Sequence, residues 1–340
     1  KADPTKAERV TSFNRHPVRF LSRADNGTLA FTYDGELYTM RPGGKPAKVS
    51  VELNADFPDE VRKMSSGRGA SWVSASPNGK NMALIYRGDV YVTPVEYSTT
   101  KQISRTPQAE GHVVWANDSV LYYDSQREGK SNIYTATLGH ASDPDLAHAT
   151  LIEEKAEFKA DGHERSVPQV SPDGKTLAFI LDRNILAVKD LKSGKVRQLT
   201  DGSTYRHRNG YFTYRWSPDS KWIVLEIVDR RHDPYTDIAL IEVESGKLTN
   251  LTNSGYADGE PKWIMDGNAI AFASERLGMR NHASWGSEND VFFIFLNDRA
   301  FSKYNMCKED RELDKTPADT TKTIDVQLDG IGHRTVRVTP

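Results

Sequence analysis

Along most of the chain, short apolar stretches alternate with polar turn signals, and no stretch holds a convincing helical period. "SPNGKNMALIY" begins at Ser76, "SPDGKTLAFIL" at Ser171 and "SPDSKWIVLEI" at Ser217. Weaker copies are "ADNGTLAFTY" from Ala24, "ANDSVLYYDS" from Ala116 and "MDGNAIAFAS" from Met265. The turn residues Gly27, Gly79, Asp118, Gly174, Ser220 and Gly267 stand 52, 39, 56, 46 and 47 positions apart. That period is close to the roughly 40 to 50 residues of WD40 and kelch units.

Each copy follows one grammar. A short apolar stretch, ending in Trp115, Trp216 or Trp263 in three copies, leads into the turn. In S-P-D-G, Pro presets φ, Asp suits the third position, and Gly takes the positive φ that resumes the hairpin. A buried strand follows ("TLAFI", "AIAFA"), then a third ("DVYVT", "DIALI", "DVFFI") and a fourth ("VRQLTDG", "LTNLTNSG"). A sheet of such strands has two apolar faces, which stacking against neighbouring sheets buries. The fold class expected is therefore all-β: a propeller of four-stranded antiparallel blades. A β-sandwich is the alternative, but it does not predict one turn motif at nearly fixed spacing.

Six blades are expected, beginning near His16, Arg68, Gly111, Arg165, Phe212 and Gly259. Residues 1–15 read as an outer strand of a neighbouring or closing blade, with "KAERVTSF" as a strand that a seventh blade would own. Residues 16–300 read as the propeller body, 301–322 as a polar excursion, and 323–340 as a final outer strand leading to a further domain. The abrupt start and end suggest a piece of a larger protein.

The chain has 340 residues, a net charge of −2 and 27% charged residues, which fits a globular protein and offers no whole-molecule attraction to nucleic acid. No apolar run reaches the length of a membrane-spanning helix. The single cysteine, Cys307, excludes a disulfide framework, and the nine histidines show no metal-ligand spacing. G-x-S-x-G, H-E-x-x-H, P-loop and dinucleotide patterns are all missing. No catalytic residue, metal site or cofactor is therefore assigned.

Two connections between second and third strands are long and fall in adjacent blades: "VDRRHDPYTD" from Val228 and "SERLGMRNHASWGSEND" from Ser274. The link "DGSTYRHRNGY" from Asp201 falls on the same end. Arg206, His207, Arg208, Arg230, Arg231, His232, Arg276, Arg280 and His282 are thus expected on one sector, with Trp285 anchoring the sixth-blade loop. This sector is the candidate peptide or partner site; the alternative is a solvated rim of unconnected charges.

"SPDGKTLAF" with "VRQLTDG" resembles the repeats of TolB and of tricorn-type proteases. "HPVRFLSRADNGTLAFTYDGELYT", "RRHDPYTDIALI", the long stretch containing "GMRNHASWGS", and "IDVQLDGIGHRTVRV" resemble more specifically the propeller portion of bacterial tricorn-protease homologues. The resemblance implies a non-catalytic propeller of a serine peptidase. It would filter, bind or guide peptides towards a catalytic domain outside these residues, through an axial channel. The family's catalytic serine, histidine and glutamate have no counterparts here. The implied partners are peptide substrates or other domains of the parent protein, with an oligomer compatible. The implied compartment is periplasmic or otherwise exported, although the residues themselves leave the cytoplasm open. The alternative is a TolB-like interaction propeller with no role in proteolysis.

Overall fold

The computed structural model describes residues 9–51, 69–205, 212–229, 235–279, 287–315 and 323–339. The strands form six four-stranded antiparallel sheets, each ordered as in the sequence. Blade 1 comprises β1 (Arg19–Arg23), β2 (Leu29–Tyr33), β3 (Glu36–Met40) and β4 (Ala47–Lys48). Blade 2 comprises β5 (Trp72–Ala75), β6 (Asn81–Tyr86), β7 (Asp89–Pro94) and β8 (Lys101–Gln102). Blade 3 holds β9 (Glu110–Asn117), β10 (Val120–Ser125), β11 (Asn132–Leu138) and β12 (Ile152–Ala156). Blade 4 holds β13 (Arg165–Val170), β14 (Thr176–Leu181), β15 (Ile185–Asp190) and β16 (Val196–Gln198). Blade 5 holds β17 (Tyr214–Trp216), β18 (Trp222–Ile227), β19 (Asp237–Glu242) and β20 (Leu248–Asn250). Blade 6 holds β21 (Asp258–Ile264), β22 (Ala269–Ser274), β23 (Asp290–Phe295) and β24 (Thr335–Arg337). The all-β propeller architecture is the one the repeat predicts.

The chain divides into two compact units, 1–66 and 67–340. In the first, Phe13 stacks on Tyr33 at 3.9 Å and meets Phe31 and Tyr38 edge-on. Here the structure departs from the sequence reading, because residues 9–13 of the expected extra strand carry no strand pairing. Phe13 is held by rings rather than by a ladder, and the remainder of that segment lies outside the described residues.

The second unit shows why the middle strands are continuously apolar. On β14, Leu177 and Phe179 pack with Tyr122 and Ile133 of blade 3. The alternate residues Ala178 and Ile180 pack with Tyr214 and Ile223 of blade 5. Successive side chains of a strand point to opposite faces, so a strand with a blade on each side needs apolar residues at both parities. Blades 2 and 3, and blades 5 and 6, share cores in the same way.

The turn motif does more than reverse the chain. The buried Ser171 hydroxyl donates to Asp173 Oδ1 at 2.6 Å and accepts from Thr176 N at 3.0 Å. Ser217 repeats both bonds with Asp219 and Trp222. Gly174 has φ +72°, the left-handed region the motif anticipates, and Ser220 adopts it with φ 62°. These turns also latch blades together: Asn78 N donates to Asp118 Oδ1 at 3.0 Å and Asp173 N to Ser220 Oγ at 3.1 Å.

A second departure lies after β23. The expected excursion is partly helical, with α1 (Asp298–Asn305) and α2 (Lys308–Leu313). The helical segment starts at Asp298, inside the stretch read as propeller body. Asn297 caps α1 by accepting from Ala300 N at 2.9 Å. Phe301 and Tyr304, one turn apart, pack on Phe295 at 5.6 and 4.9 Å. A capping residue and two aromatics on one helical face outweigh a polar composition. Asn297→Ala should remove about 1 kcal/mol from this segment. Faster hydrogen exchange at the amides of 300–305, with β18 unaffected, is the expected readout.

Candidate functional site

The first strand of each blade starts at the end where the second-to-third connections emerge, since Trp72 pairs with Ile85 and Arg165 with Leu181. At this end of the second unit, the first strands of four blades approach one another. Trp72 of blade 2, Val167 of blade 4, Phe212 to Arg215 of blade 5 and Glu260 of blade 6 line one cleft of ≈ 70 Å³. A space of that size admits one side chain or a chain end, not a folded domain.

The backbone around the cleft is unusual. His112, Val167 and Glu260 have φ of 39°, 53° and 54°. Each sits where the register between first and second strands shifts. Such a bulge takes a backbone amide out of the ladder, and left-handed φ is costly for a β-branched residue such as Val167. A carboxylate from the preceding blade accepts the freed amide in two places. Asp124 Oδ2 accepts Val167 N at 2.9 Å, and Glu226 Oε1 accepts Glu260 N at 2.7 Å. The Val167 carbonyl also accepts the Tyr214 hydroxyl, whose burial holds its pKa well above the ordinary tyrosine range.

Asp124 binds His112 Nδ1 as well, at 2.7 Å, and the His112 ring meets Trp72 edge-on at 4.8 Å. Glu226 Oε2 accepts Thr213 N at 3.1 Å. Burial raises the pKa of Glu226 above the usual carboxylate range; its two backbone N–H donors oppose this, and the nearby Glu260 charge adds to it. Glu260 is exposed and Arg215 half-buried on the cleft wall. Among the described residues, neither forms an ion pair.

The sequence-derived sector fares differently. Arg206, His207, Arg208, Arg230, Arg231, His232, Arg280, His282 and Trp285 all lie outside the described residues. The described Arg276 turns into the blade. Its Nη2 donates to the fully buried Asp258 at 2.8 Å, and its guanidinium lies 4.9 Å from the Phe292 ring centre. Arg127 plays the same part in blade 3, between Glu154 and the ring of Tyr134. The repeat of "SQR" at Ser125 and "SER" at Ser274 is the signal that marks this role. Asp124 and Glu226, absent from the sequence reading, carry a fainter one. Each is the lone acid near the end of an apolar second strand, "VLYYDS" and "WIVLEI".

No described histidine, cysteine or carboxylate belongs to a group of three or more able to hold a metal ion. No described helix is long and apolar enough to cross a membrane.

No family model matches the chain. It is 25% identical over 206 residues to the Tol-Pal system protein TolB of Francisella tularensis, covering 56% of this chain and 44% of that protein. It is 29% identical over 151 residues to the uncharacterized peptidase YuxL of Bacillus subtilis, covering 33% of this chain and 22% of that protein. The crystal structure of the tricorn protease superposes on 97% of this chain and 31% of its own, with a TM-score of 0.54 and 16% identity. The likeness to tricorn shows a shared propeller fold. The chain spans less than half the length of the curated relatives it matches.

Proposed function

We propose that this propeller is a non-catalytic recognition module that captures an extended peptide or a partner's chain segment at the end where its first strands converge. The observation carrying this reading is the cleft itself. Four blades contribute to it, the Arg215 guanidinium and the Glu260 carboxylate line it without an ion pair among the described residues, and it suits one side chain or terminus. The long connections of blades 5 and 6 emerge at the same end. Within the resemblance to tricorn-type proteases, the captured peptide is passed to a peptidase domain elsewhere in the parent protein, in an exported, periplasmic setting. The basic residues of 206–208, 230–232 and 280–282, with Trp285, are proposed to border this entrance.

A second reading rests on the 206-residue match to TolB. In it, the same surface docks a protein partner and no substrate is passed on.

The purified chain should bind unstructured peptides, with affinity that weakens as salt rises, and should hydrolyse none. Fluorescence anisotropy and a quenched-peptide assay provide both readouts. Reproducible turnover lost on a single Ser or Cys substitution would sink the non-catalytic reading. If the parent protein degrades peptides equally well without this propeller, the TolB-like reading takes its place.

A further inference from the structure

We infer that the cleft between the first strands of blades 2, 4, 5 and 6 is a seat for a cationic group, the side chain of lysine or arginine or a free α-ammonium, with Glu260 as counter-ion and Trp72 as the aromatic wall. The inference rests on the recognition reading above and names the ligand chemistry of that same site.

Three features lead to it. The first is the cavity, whose walls come from four separate blades and whose ≈ 70 Å³ matches a single charged group rather than a run of peptide. The second is the arrangement of acids on the blade 5–6 side. Glu226 is committed to two backbone amides, Thr213 N at 3.1 Å and Glu260 N at 2.7 Å, so its charge is fixed in place behind the cleft. Glu260 is close enough to act on it electrostatically. No described Lys, Arg or His forms an ion pair with either acid. Arg215 lines the cleft and donates to the carbonyl of Tyr214, at 3.0 Å. Two carboxylates against the single guanidinium of Arg215 leave this side of the cleft net negative, which favours an incoming cation.

The third feature is Trp72. Its ring is half-buried and meets His112 edge-on at 4.8 Å, while Trp72 itself lines the cleft. Tryptophan is the aromatic side chain that attracts a cation most strongly. An aromatic ring and an anion lining one cleft suit ammonium and guanidinium groups alike. A neutral apolar group would offer the Glu260 carboxylate no counter-charge.

The test uses small probes first, so that it does not depend on peptide capture. Nα-acetyl-lysine N-methylamide supplies a side-chain cation, alanine amide supplies an α-ammonium, and Nα-acetyl-norleucine N-methylamide is the neutral counterpart of the first. Each is titrated into the intact chain while the indole N–H resonance of Trp72 is followed, identified by its loss in Trp72→Phe. The lysine probe, the α-ammonium probe or both should shift that resonance, and the norleucine probe should not. The comparison of the two cations tells which source the cleft prefers. Glu260→Gln should weaken the response about tenfold. Glu260 is exposed, so this variant should unfold at the wild-type temperature. Equal responses to lysine and norleucine probes, no response to any probe, or no effect of Glu260→Gln would each overturn the inference. A set of fluorescent peptides carrying lysine or norleucine then separates the two levels. Peptides that bind irrespective of charge overturn the cation seat alone. Cationic probes that bind while no peptide does leave the seat standing and remove the capture reading.

Discussion

Trp216→Ala should destabilise the chain by about 3–5 kcal/mol, the range for removing a large buried aromatic side chain. Trp216 closes β17 and is 8% exposed within the core shared by blades 4 and 5. Its indole N–H donates to the Gln169 carbonyl on the first strand of blade 4, at 3.2 Å. The same bond recurs around the unit, from Trp115 to Ser74 at 3.1 Å and from Trp263 to Arg215 at 3.1 Å. Each tryptophan therefore fastens its blade to the preceding one by area and by a directed bond. Trp216→Phe keeps most of the area and loses the donor, so it should cost about 1–3 kcal/mol. Urea unfolding measures both. A Phe variant as damaged as the Ala variant would contradict the division into packing and clasp.

Arg276→Ala should cost about 3 kcal/mol, while leaving peptide affinity per folded molecule unchanged. Removing one partner of a buried ion pair strands the other charge, and Asp258 is fully buried. Asp258 Oδ2 would keep the Ser254 hydroxyl at 2.7 Å and lose the guanidinium at 2.8 Å. Arg276 also covers Phe272 and Phe292, at 5.6 and 4.9 Å from their ring centres, so truncation exposes apolar surface as well. The double variant Arg276→Met, Asp258→Asn should recover much of the loss, because it removes both charges and keeps volume. If Arg276→Ala instead lowers affinity at full stability, Arg276 belongs with the basic entrance and not with the blade.

Arg276 also shows where reading along the chain stops. Its position in a long, basic connection groups it with its charged neighbours. Only the fold reveals that Ser274, Arg276 and Asp258 meet, because Asp258 reaches Ser274 through strand pairing across the blade. The mirrored set in blade 3, Glu110, Ser125 and Arg127, was present in the sequence as a repeated Ser-x-Arg. Its meaning needed a partner fifteen or more residues away.

What the sequence determined by itself is local and periodic. Turn chemistry depends on four or five consecutive residues, and strand burial on the parity of a short run. The S-P-D-G turns, the doubly apolar second strands and the tryptophans at the blade junctions were therefore all legible. The two short helices were not, since their stability comes from Asn297 as a cap and from rings packing on β23. The cleft was least legible. Trp72, Val167, Arg215 and Glu260 are scattered over nearly two hundred residues, and only blade packing brings them together. Its supporting carboxylates, Asp124 and Glu226, each bind an amide of the next blade, 43 and 34 residues away. A bulge frees an amide that no pattern of side chains announces, and the acid that satisfies it is chosen by distance in space.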